Sequence, residues 1–239
     1  MALIELLVVI SCLAVILSLM MPALSRARSA GVRLRCESNL RGAGFVLETY
    51  SVIHRGMLPM GPARREVVEW PGVGPISWGG RLGLRNGTWS LLLPDEWAGG
   101  RWNPALRCPR QPPFLPEGGP SLWDRYPTPA YAMTEAVWLD ERGLREGVSP
   151  DHYGIKAHHA ADVVYPSAKA YLLEFPTFCN ILPIDLEEIE LGQSIHSPAA
   201  IYFFDGSVRR YAVTEGRPGS NGTLGFLWTI DGIAGRDLP

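Results

Sequence analysis

Between Leu6 and Leu24 the chain carries no charged residue, and a single glutamate, Glu5, stands at the head of that run. These 19 residues, extended by Leu3 and Ile4, match the roughly 20 residues a helix needs to cross about 30 Å of hydrocarbon. A membrane helix is therefore the first expectation, and it limits every later reading of the chain. Arginines return only after the run, at Arg26 and Arg28. A secretory signal has a basic start, a shorter apolar core and a small-residue cleavage site. Nothing basic precedes this run and it is too long, so Ala27 to Ala30 is not read as a cleavage site. An acid in such a segment has two uses: its carboxylate snorkels to the headgroups at the helix end, or it awaits a cationic partner on another chain.

The helix is expected to outlast the bilayer. Val32, Cys36, Leu40, Ala43, Leu47 and Tyr50 recur at three- and four-residue intervals and form one stripe, with Arg33, Arg35, Arg41 and Glu48 largely elsewhere. That stripe needs a cover. A continuous helix from Leu3 to about Ile53 would measure about 75 Å at 1.5 Å per residue, half in lipid and half on a globular head. Pro22 falls inside it, removes one backbone bond and favours a kink or local opening.

Three stretches, LIELLVVIS, MMPALSRAR and CESNLRGAGFVLETYSVIHRGMLP, together resemble the amino-terminal third of the type IV pilins and type II secretion pseudopilins. The likeness is greatest to the planctomycete-like group with a prepilin-type cleavage and methylation motif. LRCP at Leu106 to Pro109, YAM at Tyr131 to Met133, YPSAKAYLLE from Tyr165, and the spacing from His196 to FFDGSV at Phe203 resemble later landmarks in the same order. The resemblance implies an α+β pilin-like fold, with a long amino-terminal helix packed on a mainly antiparallel sheet. It implies three parts: a transmembrane helix with the prepilin-type motif (1–25), an amphipathic continuation (26–55) and an extracytoplasmic head (56–239). Glu5 matches the family glutamate that pairs with a neighbouring subunit's amino terminus during assembly, and Pro22 the site of bending near the membrane half. Met1 and Ala2 stand where the family has phenylalanine and threonine after a cleaved basic leader, so a leader is expected upstream of Met1. The partners implied are other pilin-like subunits, the assembly machinery and inner-membrane lipid.

Two features need weighing against that implication. Arg26, Arg28, Arg33, Arg35 and Arg41 follow the apolar run, which by the positive-inside rule would hold the head in the cytoplasm. The resemblance puts the head in the periplasm or on the cell surface, on a single-pass inner-membrane helix, and that placement is preferred. Cysteine usage leaves two possibilities on spacing alone, one bridge or free buried thiols. The family landmarks favour Cys36 with Cys108 as the bridge, leaving Cys12 in the membrane run.

Roughly 190 residues follow the first helix, enough for one core. A formal net charge of −2 offers no basic field for nucleic acid, so none is expected as a partner. Thirteen of the 21 prolines lie between Pro59 and Pro129, among Gly-Gly pairs and Trp70, Trp78, Trp89, Trp97, Trp102 and Trp123. This section is expected to be long loops with short strands. The tryptophans are read first as core area and second as saccharide platforms. Ala168 to Phe175 reads as a strand. Ala199 to Phe204 and Ser207 to Val213 read as a hairpin around Asp205-Gly206, a dipeptide suited to positive φ at both central positions. Glu187, Glu188 and Glu190 suit a short exposed segment.

Catalysis finds little footing. The histidines are His54, His152, His158, His159 and His196, with Asp151 and Asp162 near the middle group, and neither H-E-x-x-H nor G-x-S-x-G occurs. Asn86-Gly87-Thr88 and Asn221-Gly222-Thr223 match the glycosylation pattern and are read as turns. The expectation is a noncatalytic filament subunit without cofactor or metal. Its rivals are a membrane-anchored binding module for saccharides or envelope polymers and, behind it, an anchored hydrolase.

Overall fold

One helix, α1, runs without interruption from Leu3 to Ile53, 51 residues and about 76 Å at 1.5 Å per residue. The computed structural model describes residues 3–59, 67–70, 74–77, 109, 131–140, 156–174, 198–212, 215–219, 226 and 229–239. Within them the layout is α+β: the second half of α1 lies against a four-stranded antiparallel sheet. The strands are β3 (Tyr131–Met133), β4 (Ala170–Glu174), β5 (Ala199–Phe203) and β6 (Val208–Tyr211), side by side in that order. A separate antiparallel pair, β1 (Val67–Trp70) and β2 (Gly74–Ser77), falls in the Pro/Gly/Trp-rich section. The rest of that section, including Cys108 and most of the tryptophans, lies outside the described residues.

The stripe on α1 is the docked face. Cys36, Leu40, Ala43 and Leu47 are fully buried, with Val32 and Tyr50 partly so at its edges. Burying a leucine side chain is worth about 1.5–3 kcal/mol, so Leu40 and Leu47 alone contribute several. Every residue of β3, β4 and β5 is buried, whereas β6 is half-exposed as an edge strand. The β4–β5 register shifts between Ala170 and Leu172, and Tyr171 stacks flat on Phe204 at 4.2 Å between ring centroids.

Two glycines set how the helix sits. A Cβ on Gly44 would stand inside the Tyr202 ring, so only a glycine lets β5 approach α1 this closely. Gly56, at φ 87°, follows Arg55 at φ 57° where the helix ends. There Gly56 N–H donates to Ser51 O at 2.7 Å and Arg55 N–H to Val52 O at 3.3 Å, the paired bonds of a Schellman stop. His159 locks it. Its Nδ1 accepts from Ala161 N–H at 3.0 Å, so its Nε2 carries the proton and donates to Arg55 O at 2.9 Å.

The hairpin differs in detail from the sequence expectation. Gly206 N–H donates to Phe203 O at 3.0 Å and Phe203 N–H to Ser207 O at 2.9 Å. Only Gly206 has positive φ (79°). The loop is thus three residues closed by a left-handed glycine, with Phe204 and Asp205 ahead of it. Asp205 stays out of the left-handed region because its carboxylate accepts from Ser207 N–H (3.0 Å) and Oγ (2.6 Å). Ala168, expected in the strand, belongs instead to a 3-10 turn at Pro166–Ala168, whose proline suits the first helical position.

The Gly44 contact makes a sharp stability prediction. Gly44→Ala should destabilise the head by about 1–3 kcal/mol through overpacking. Gly42→Ala, whose added Cβ meets nothing within 4 Å, should be neutral or gain up to about 1 kcal/mol of helix propensity. Thermal unfolding followed by near-UV circular dichroism would compare the two, and equal effects would contradict this packing.

Candidate functional site

The undocked half of α1 is a continuous, exposed apolar surface. From Leu6 to Leu24 every large apolar side chain is exposed, from 51% at Ile16 to 71% at Leu24. This is the one helix among the described residues long and apolar enough to cross a membrane. At about 28 Å for its 19 uncharged residues, the exposed section matches the hydrocarbon thickness of a bilayer. Its polar members turn inward on the backbone: Ser11 Oγ donates to Val8 O and Ser18 Oγ to Val15 O, each at 2.8 Å. Hydroxyls bonded this way cost little in lipid.

Glu5 is the third residue of α1, at the head of this surface. Pro22 lies inside the helix, which continues through it without a break. Lacking an N–H, Pro22 leaves the Ser18 carbonyl without its intrahelical donor. Arg26, Arg28, Arg33 and Arg35 are all exposed, forming a solvated collar between the apolar section and the head, and Arg41 is exposed on the outer side of the docked stretch.

Polar bonds fasten α1 to the sheet around the apolar stripe. Tyr131 Oη, from β3, donates to Cys36 O at 3.0 Å. Arg210, from β6, pairs with Glu37 on α1 at 3.5 Å and reaches the buried Glu174 carboxylate on β4 at 3.9 Å, while donating to Pro198 O at 2.6 Å. The Tyr202 hydroxyl donates to Glu48. Burial and then that bond to Glu48 hold the Tyr202 phenol well above its ordinary range. Cys36 is disulfide-bonded and Cys12 is free and exposed; Cys108 and Cys179 both lie outside the described residues.

The histidines that sequence brought forward are engaged locally. His54 stacks on Tyr50 at 4.0 Å. His158 is buried and its Nε2 donates to Leu139 O at 3.0 Å. His159 uses both nitrogens at the helix stop, and Asp162 accepts from His159 N–H at 2.8 Å. Among the described residues no three His, Cys, Asp or Glu side chains gather as a metal set. His152, His196 and Asp151 lie outside the described residues, as do the acids around Glu187 and both Asn-Gly-Thr segments.

One cluster escaped the sequence reading. Lys169 and Asp237 are fully buried with their charged atoms 3.6 Å apart. Lys169 Nζ donates to Thr229 Oγ1, and to Gly232 O at 2.7 Å. Thr229 Oγ1 donates to Asp237 Oδ1 at 2.5 Å, and Ala170 N–H donates to Asp237 Oδ2 at 2.7 Å. Burial pushes the Lys169 ammonium down to about 8, against the pull of Asp237. Burial likewise raises the Asp237 carboxyl, opposed by Lys169 and Thr229. The only sequence signal was a lysine at the edge of an apolar strand; its partner is 68 positions away.

No family model, no curated protein and no solved structure matches the chain. The reading of the site therefore rests on its residues and geometry.

The bridge at Cys36 can be assigned directly. A non-reducing peptide map should join the Cys36 peptide to the Cys108 peptide, the pairing expected from the sequence resemblance, and reduction should cost the head about 2–4 kcal/mol. A link to Cys179 would refute the assignment.

Proposed function

We propose that this chain is a noncatalytic, pilin-like subunit of an envelope filament of the type II secretion or type IV pilus kind. It assembles through the undocked half of α1. The observation that carries this reading is the division of one continuous helix. Residues from about Cys36 onward are committed to the head, and Leu6 to Leu24 present an apolar rod that nothing covers among the described residues.

In this reading the rod lies in the inner membrane before assembly and among copies or homologues afterwards, while the head stays outside the cytoplasm. Lateral packing replaces lipid contacts with protein contacts of similar apolarity, so the gain comes from shape and from polar groups. Glu5 supplies the polar term: a carboxylate entering that core is tolerated only where a neighbour's amino terminus neutralises it, which fixes the axial register. Leu34, Phe45 and Val52 are exposed at 67%, 67% and 79%. Their 11- and 7-residue spacing puts them on one stripe away from the sheet, and it prolongs the assembly face alongside the head.

A tethered binding module is the rival reading, with the helix serving only as an anchor. Glu5 separates the two, because a plain anchor has no use for an acid at that position. Glu5→Gln should insert into the membrane normally and fall at least about tenfold in filament yield, equivalent to about 1.4 kcal/mol. Membrane fractionation and recovery of sheared filaments would measure both, and an unchanged yield would sink the role assigned to Glu5.

A further inference from the structure

We propose that Lys169 and Asp237 condense to form an intramolecular isopeptide bond that covalently ties the segment around Asp237 to the start of β4. The geometry supplies what such a step needs. The amine and the carboxyl are both sealed from solvent and lie 3.6 Å apart, nitrogen to oxygen. Thr229, itself buried, accepts from Lys169 Nζ and donates to Asp237 Oδ1, which makes its hydroxyl a proton bridge from nucleophile to leaving oxygen. Ala170 N–H, at 2.7 Å from Oδ2, sits where negative charge develops when the carbonyl is attacked.

The step balances without an external reagent. One ammonium proton passes through Thr229 to Oδ1, leaving a neutral amine and a carboxylic acid. The nitrogen lone pair then bonds to Cγ, and the carbonyl π pair moves onto Oδ2, facing Ala170 N–H. A second nitrogen proton follows the same path to Oδ1, the Cγ–Oδ1 bond breaks, water leaves and the carbonyl re-forms. The third nitrogen proton remains as the amide N–H.

The product matches its surroundings. The amide N–H retains Gly232 O as acceptor, at 2.7 Å from the nitrogen before reaction, and the amide oxygen retains Ala170 N–H. A buried ion pair is costly because both charges are desolvated, whereas the amide removes both charges and keeps two satisfied hydrogen bonds. Held reactants of this kind reach effective molarities of about 10⁵ M or more, and the dry site opposes the reverse hydrolysis. The lowered basicity of Lys169 supports a nucleophilic, neutral amine.

The test is the mass of the full chain, purified in detergent with a folded, protease-resistant head, then denatured and reduced. The proposal expects a mass lighter by one water. Tryptic digestion should leave the 157–209 peptide uncut at Lys169 and carrying the peptide that begins at Asp237. Lys169→Arg should restore the full mass, Thr229→Val should slow the loss, and Asp237→Asn should shed ammonia in place of water. Unshifted mass with free cleavage at Lys169 in a folded sample would overturn the proposal. So would a water loss that persists in Lys169→Arg, since cyclisation at Asp205-Gly206 or Asp231-Gly232 would then account for it.

Discussion

Tyr202 rests so closely over Gly44 that helix and sheet cannot slide past each other, and the placement of everything else follows from that contact. With the ring in place, its hydroxyl meets Glu48 one turn on, Leu40 and Leu47 fill the space to either side, and Arg210 closes on Glu37 near the other end of the stripe. The polar bonds lie around the apolar contacts and fix the angle of the helix rather than supply most of the stability. A half-buried pair at 3.5 Å such as Arg210 with Glu37 is worth about 1 kcal/mol, less than one buried leucine.

A helix fixed at one end projects at the other. Because α1 continues through Pro22, the docking of Cys36 to Leu47 also fixes where the rod from Leu6 to Leu24 departs from the head. The second half of the helix packs chiefly on β5 and β4, with β6 at the margin. The first half is exposed, with nothing covering it among the described residues. The arginine collar between the two halves keeps the boundary wet, which suits a rod that stops at a membrane surface.

Legibility in the sequence followed the range of the interactions. The buried stripe of α1 is legible as a periodicity set by neighbours three and four apart, which puts Cys36, Leu40, Ala43 and Leu47 on one face. The hairpin around Asp205-Gly206 was legible as a turn, but not which residue adopts positive φ, because the Ser207 bonds to Asp205 decide that. Long-range partners left no trace. Gly44 looks like any helical glycine until Tyr202 is laid on it from 158 positions away. Nothing local to His159 announces that its ring caps a distant helix. Lys169 and Asp237 find each other only through the fold.

The central proposal is that residues Leu3 to Leu24 form an assembly surface and not merely an anchor. The most direct measurement replaces them with an unrelated apolar helix of equal length that has no acid, and compares membrane retention with incorporation into filaments. The account predicts a head that folds and stays membrane-bound yet is absent from filaments. Incorporation at the native level would contradict it.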